Sequence, residues 1–121
     1  MDFVEGAKDF ALNTTQEEAL GAFNDINGSY IEGNRYIFAY DSDGNALALP
    51  FQPELLGDNR INITDSNGVE YIRDMIALAQ SGGGFIYYIK VDPAENMTQG
   101  FKLSYINKVD DTWWLGAGIY A

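Results

Sequence analysis

Cysteine and histidine are both absent from this 121-residue chain. Without cysteine there is no disulfide, no thiol nucleophile and no thioether-linked haem. Without histidine as well, the usual zinc sites and imidazole acid–base chemistry are excluded. A hydrolase would have to work with carboxylates, Ser, Tyr or Lys alone. Cations are scarce too, seven Lys and Arg against 18 Asp and Glu, for a net charge of −11. Nucleic acid and anionic membrane both need a cationic footprint, so neither is expected as a partner. The acids are spread along the chain and read as a solvated surface. Long apolar runs are also missing; none approaches the roughly 20 residues that span a bilayer. The start, Met1-Asp2-Phe3-Val4-Glu5, is acidic where a signal peptide needs cations. Any membrane attachment is therefore expected to run through segments absent from this chain.

What is present is a folding chain, 46% hydrophobic, expected to form one domain over residues 1–121. Phe3, Val4, Ala7, Phe10 and Ala11 recur at helical spacing and predict a helix over residues 2–12. Thr15-Gln16-Glu17-Glu18 has the form of a capping box, so a second helix should run from there to about Asn24. Residues 25–34 read as loop. Tyr36 to Tyr40 and Ala46 to Leu49 read as a hairpin with Asp-Gly chemistry at its tip, stopped by Pro50 and Pro53. Val69, Ile72, Ile76 and Ala79 predict a helix over about 69–80, ended by Gly82-Gly83-Gly84. Three aromatic, alternating runs then follow: Phe85 to Val91, Phe101 to Ile106 and Trp113 to Tyr120. Short connections make them an antiparallel meander. The order α-α-β-β-α-β-β-β predicts an α+β fold, with an N-terminal helical region (1–24) on one face of the sheet. The segment 50–80 should cover the other, within a sheet region of 36–121.

Three motifs invite sharper readings. Asp41-Ser42-Asp43-Gly44-Asn45 looks like a calcium loop, but glycine stands fourth where an EF-hand needs it sixth, and position twelve is Gln52. The triple glycine lacks the Lys-Ser/Thr of a phosphate loop and leads into a strand. Asp41 with Asp43, and Asp110 with Asp111, could be paired catalytic carboxylates, but both pairs fall in turns, where solvated acids are the norm. No metal, no cofactor and no enzymatic activity are therefore expected.

Lys102 is the odd residue of the meander. It alternates with Phe101 and Leu103 and shares a face with Ser104 and Ile106. Either it lies in water on an edge strand, or it points into a pocket and meets an anion, because a buried cation is costly without compensation. Ile86, Tyr88 and Lys90 likewise share one face of the preceding strand. Tyrosines offer an apolar body and a polar tip, which suits a small organic acid. Candidate walls are Tyr88, Tyr36, Phe38 and Tyr105, and Arg60 is a second candidate anion partner. Gly116 and Gly118 mark a close approach in the last strand, expected to be that of a helix.

Several blocks together resemble a known family. They are Tyr36 to Asp41, Asp43 to Pro50, Leu56 to Asn59, Asp65 to Gly68, Gly84 to Tyr88, Lys102 to Ile106 and Trp114 to Tyr120. Their order and spacing resemble the Cache domains, in particular the single-Cache type 2 group. The resemblance implies a PAS-like five-stranded antiparallel sheet, an extracytoplasmic (periplasmic or cell-surface) location, and a place in chemoreceptors or histidine kinases, or in a stand-alone secreted protein. It implies a short carboxylate such as acetate, propionate, lactate or pyruvate, held between the sheet and residues 50–80. Lys102 matches the family's lysine. Leu49-Pro50 stands where the family often has His-Pro, which makes Leu49 an apolar wall of this pocket. The first helix is short for the family, so the chain is expected to be an excised or secreted soluble piece. Four of the ten asparagines, Asn13, Asn27, Asn62 and Asn96, sit in N-x-S/T sequons, which favours an exported protein. The alternative to sensing is a binding or dimerisation module, a homodimer joined through the N-terminal helix.

Overall fold

The computed structural model describes residues 2–92 and 98–120; Asn96 lies outside them. Two helices open the chain, α1 (Asp2–Leu12) and α2 (Gln16–Phe23). Val4, Ala7 and Ala11 form the buried stripe of α1. The cap of α2 is half of the expected box. Thr15 Oγ1 accepts from the Glu18 amide at 3.1 Å, while the Glu18 carboxylate turns away and accepts from Thr14 Oγ1 at 2.9 Å.

The stretch read as loop after α2 contains a miniature hairpin. Strand β1 (Ile31–Glu32) pairs with β2 (Arg35–Tyr36) across a turn at Gly33. Two-residue strands carry too little alternation to be seen in a sequence. The main sheet then begins with β3 (Phe38–Asp41) and β4 (Ala46–Ala48). Asp41 organises their turn, its Oδ1 accepting from the amides of Asp43 and Asn45 and its Oδ2 from Asn45 Nδ2, all at 2.9 Å. The carboxylate is thus spent on the turn, and among the described residues no cluster of three or more acidic groups could hold a metal ion.

Helix α3 (Tyr71–Gln80) buries Tyr71, Ile72, Met75, Ile76 and Ala79. The meander follows as β5 (Gly84–Asp92), β6 (Thr98–Asp110) and β7 (Trp113–Tyr120). At the joint before β5, Gly83 has φ +105°, and a Cβ there would lie 2.6 Å from the Ile106 carbonyl oxygen, so only glycine fits. The five-stranded sheet is antiparallel throughout, in the order β4-β3-β7-β6-β5. Helices α1 and α2 pack on one face, around Phe23, Ile37, Trp113 and Leu115. Helix α3 packs on the other, around Phe38, Tyr40, Ile72, Met75 and Trp114.

Between β4 and α3 the chain forms a strap that is fastened at both edges of the sheet. On the β4 side the Gly57 amide donates to Ala46 O (2.9 Å), the Ala46 amide to Asp58 O (3.0 Å) and the Arg60 amide to Gly44 O (2.9 Å). On the β5 side Asp65 Oδ2 accepts from the Ile89 amide at 3.0 Å, while its Oδ1 accepts from Asn67 and Val69. Those amides, that of Ile89 foremost, hold the Asp65 carboxyl below its ordinary value against the opposing effect of desolvation. No helix of the described residues is long and apolar enough to cross a membrane.

Candidate functional site

Alternation along β6 turns Lys102 and Ser104 toward the face that α3 covers. Both are sealed, at 2% and 0% exposure. Gly118 of β7, the register partner of Ser104, makes the room. A Cβ at Gly118 would stand 2.4 Å from Ser104 Oγ and 2.9 Å from Lys102 Cε. The helix expected against Gly116 and Gly118 is not what approaches them. Their neighbours are side chains and carbonyls of β6, with Phe38 also against Gly116. The glycines thus let the lysine stem lie flat across the sheet.

The Lys102 ammonium ends among aromatic rings. Its Nζ is 4.7 Å from the ring centre of Tyr36 and 4.9 Å from that of Phe38, within cation–π range. Tyr88, the cross-strand partner of Lys102, is buried beside it and shares a 3.0 Å hydrogen bond with Ser104. Burial raises the Tyr88 hydroxyl well above its ordinary pKa, against a smaller lowering by Ser104, so it remains a proton donor across the physiological range.

Tyr71, from the first turn of α3, stacks on Tyr88 with ring centres 4.8 Å apart. Its hydroxyl accepts from two cations, Lys90 Nζ at 3.3 Å and Arg60 at 3.4 Å. Arg60 also donates through Nε to the Tyr40 hydroxyl at 3.1 Å. Burial pushes the Tyr40 hydroxyl up to about 12, with the Arg60 charge pulling the other way. Burial, and then the Arg60 charge, push the Lys90 ammonium down to about 8.

Lys102, Lys90, Phe38 and the four tyrosines line a small cavity, completed by Leu49, Ile72 and Met75. The centre of a water molecule has only about 10 Å³ to move in, room for about one water. A roomier hollow of about 240 Å³ lies by the C-terminal part of α3, but Asp110 and Asp111 line it, which disfavours an anion. Lys108 there is paired with Asp111 at 3.0 Å.

The expected residues are thus partly gathered. Lys102, Tyr88, Tyr36, Phe38 and Leu49 line one cavity, and Arg60 bonds the hydroxyls of two further lining residues, Tyr40 and Tyr71. Tyr105 does not reach it. It has the opposite parity to Lys102 on β6 and packs against Phe85 at 4.9 Å, on the face that carries α1. Five lining residues that the candidate list left out are Tyr40, Tyr71, Ile72, Met75 and Lys90. Lys90 had the same signal as Lys102, a cation on the inward parity of an apolar strand, and shares its face with Tyr88. Tyr71 was hidden because the helix face was started at Val69.

The family described as "Single Cache domain 2" matches residues 6–121. The chain belongs to the single Cache domain 2 family. This Cache domain is 36% identical, over 86 residues, to the sensor histidine kinase MctS of Rhizobium johnstonii (strain DSM 114642 / LMG 32736 / 3841). The match takes in 70% of this chain but only 18% of that relative. Among solved structures it is similar to a methyl-accepting chemotaxis protein from Vibrio parahaemolyticus RIMD 2210633. There the TM-score is 0.78 at 30% identity, over 97% of this chain and 78% of that one. It is also similar to a Cache chemosensory domain described for carboxylic acid recognition, with TM-score 0.78 at 26% identity, over 98% of this chain and 82% of that one. A periplasmic sensor domain of a chemotaxis protein shares the fold, with TM-score 0.79 at 21% identity, over 98% of this chain and 85% of the other. Cache domains of this kind are extracellular or periplasmic sensor modules of chemoreceptors and histidine kinases. They signal and do not catalyse.

Proposed function

We propose that this Cache domain senses a short organic acid, whose carboxylate is received by Lys102 with help from the Tyr88 hydroxyl. The observation that carries the reading is the sealed Lys102 ammonium, ringed by Tyr36, Phe38 and Tyr88 under the strap and α3. A carboxylate entering there would replace lost hydration by charge-assisted hydrogen bonds in a low-dielectric site, where they are strong. Apolar walls from Leu49, Ile72 and Met75 would take the hydrocarbon end.

The cavity has room for only about one water, so uptake of an acid requires the strap or the Tyr71 turn of α3 to move outward and settle again on the ligand. That movement is the signal. Its size cannot exceed the difference in ligand affinity between the two states. The resemblance to sensor histidine kinase MctS and to chemotaxis receptors supports a place outside the cytoplasm, coupled to an output domain elsewhere in a longer protein.

Calorimetry and thermal shift with acetate, propionate, butyrate, lactate and pyruvate test this. At least one acid should bind, and Lys102→Met should weaken it about ten-fold or more, the scale of one charged hydrogen bond. Absence of binding by every one of these acids and by the diacids malonate and succinate, with a folded protein, would end the proposal.

A further inference from the structure

We infer that the point where Lys90 and Arg60 converge on the Tyr71 hydroxyl is a second anion subsite, and that the preferred ligand is a short dicarboxylic acid, one carboxylate on Lys102 and the other on Lys90 and Arg60. This rests on the reading of Lys102 as the seat of a carboxylate. Lys90 and Arg60 are both partly buried, and both turn toward the same phenol, Tyr71. Neither has a carboxylate partner among the described residues. Their polar side-chain contacts are Tyr71 for Lys90, and Tyr40 and Tyr71 for Arg60. Asp65 comes close enough to bind the Ile89 amide, next to Lys90, yet it spends both oxygens on backbone amides. Two like charges that share one neutral oxygen, partly withdrawn from water, repel each other and lack compensation. The lowering of the Lys90 pKa by burial and by Arg60 is the same statement in proton terms. An anion at this point would relieve both costs at once.

The chemistry of Tyr71 fits the same conclusion. Its oxygen already accepts from two N–H donors, which fills both lone pairs and leaves its own proton to be donated. That proton is available to a carboxylate. The placement fits as well. Lys90 lies two residues beyond Tyr88 on the same strand face, and Tyr88 is the register partner of Lys102. Lys102 Nζ reaches across β7 to Tyr36 and Phe38, and Lys90 Nζ reaches Tyr71, yet both lysines line the one cavity. A short acid with a carboxylate at each end could meet both. Tyr88 and Tyr71, which stack on each other, would flank its chain.

Matched pairs of acids test the idea on the intact domain: malonate against propionate, and succinate against butyrate. Each pair differs by one carboxylate at constant carbon count. The diacid should bind about ten-fold or more tightly than its partner, the scale of one charge-assisted contact. Lys90→Met, and independently Arg60→Gln, should cut that ratio toward one. If monoacids bind more tightly than their matched diacids, or if the ratio survives both substitutions, the second subsite is wrong while the Lys102 site stands. If neither class binds, both readings fall together. The wild-type ratios decide the matter even where a variant folds poorly.

Discussion

The two faces of the β5–β6 hairpin are sorted in opposite senses. Beneath α3, the inward positions of β6 hold Lys102 and Ser104, sealed from water. On the other face, where α1 covers part of the sheet, Phe85, Tyr87, Phe101 and Leu103 are 37–56% exposed. Tyr87 and Phe101 even stack on each other in the open, 5.1 Å apart. A sheet built for stability alone would be turned over, with rings inward and the ammonium outward. The exposed face is permissive, because an apolar side chain left in water there needs no partner. The covered face is demanding, because each polar group there must be compensated. An inversion held at such a place is what the proposed carboxylate site would explain.

Stability and binding should therefore part company between the two faces. Lys102→Met removes a buried charge and keeps the volume. We expect unfolding in urea to show a gain of about 1–2 kcal/mol together with loss of acid binding, as when other buried ions are replaced by well-packed hydrocarbon. A marked loss of stability would instead make Lys102 a structural residue. The next effect is on pH. Lys90, facing Arg60, Tyr71, Tyr88, Lys102 and the Asp65 turn, loses its proton near pH 8 when folded and near 10.4 when unfolded. Between those values the unfolded chain holds more protons, so stability of the free domain should rise with pH. Over the same range diacid affinity should fall, and titration calorimetry from pH 7 to 9.5 should show that fall flattened in Lys90→Met. The smallest effect belongs to the open face. Tyr87→Ser and Leu103→Ser should move stability by no more than about 0.5 kcal/mol and leave acid affinity unchanged. A shift in affinity would show that the two faces are coupled.

Much of this architecture was readable beforehand, because it is written locally. The stripe of Val4, Ala7 and Ala11, the Thr15 cap, the Asp41 turn and the alternating meander each act within a few residues. The site was legible only in part. Parity alone showed that Lys102 and Tyr105 face opposite ways, but not which side α3 would cover. That depends on strand order, which no local pattern carries. For the same reason Tyr71, Lys90 and Arg60, which meet at one oxygen from three separate elements, could not be joined from spacing. Gly116 and Gly118 announced a close approach, yet only the register of β6 on β7 names Lys102 and Ile106 as its source.

The strap has one more consequence. It runs from the border of β4, met by residues 57–60, to that of β5, where Asp65 occupies the Ile89 amide. A single segment thus guards both rims of the sheet against intruding strands, and at one of them it posts a negative charge that repels a stranger's carbonyls. If the strap gates a solute as proposed, the same segment is also the fence against aggregation. Any sequence change that loosens it to speed uptake will bare both rims together, so we expect responsiveness and solubility to be traded against each other in this domain.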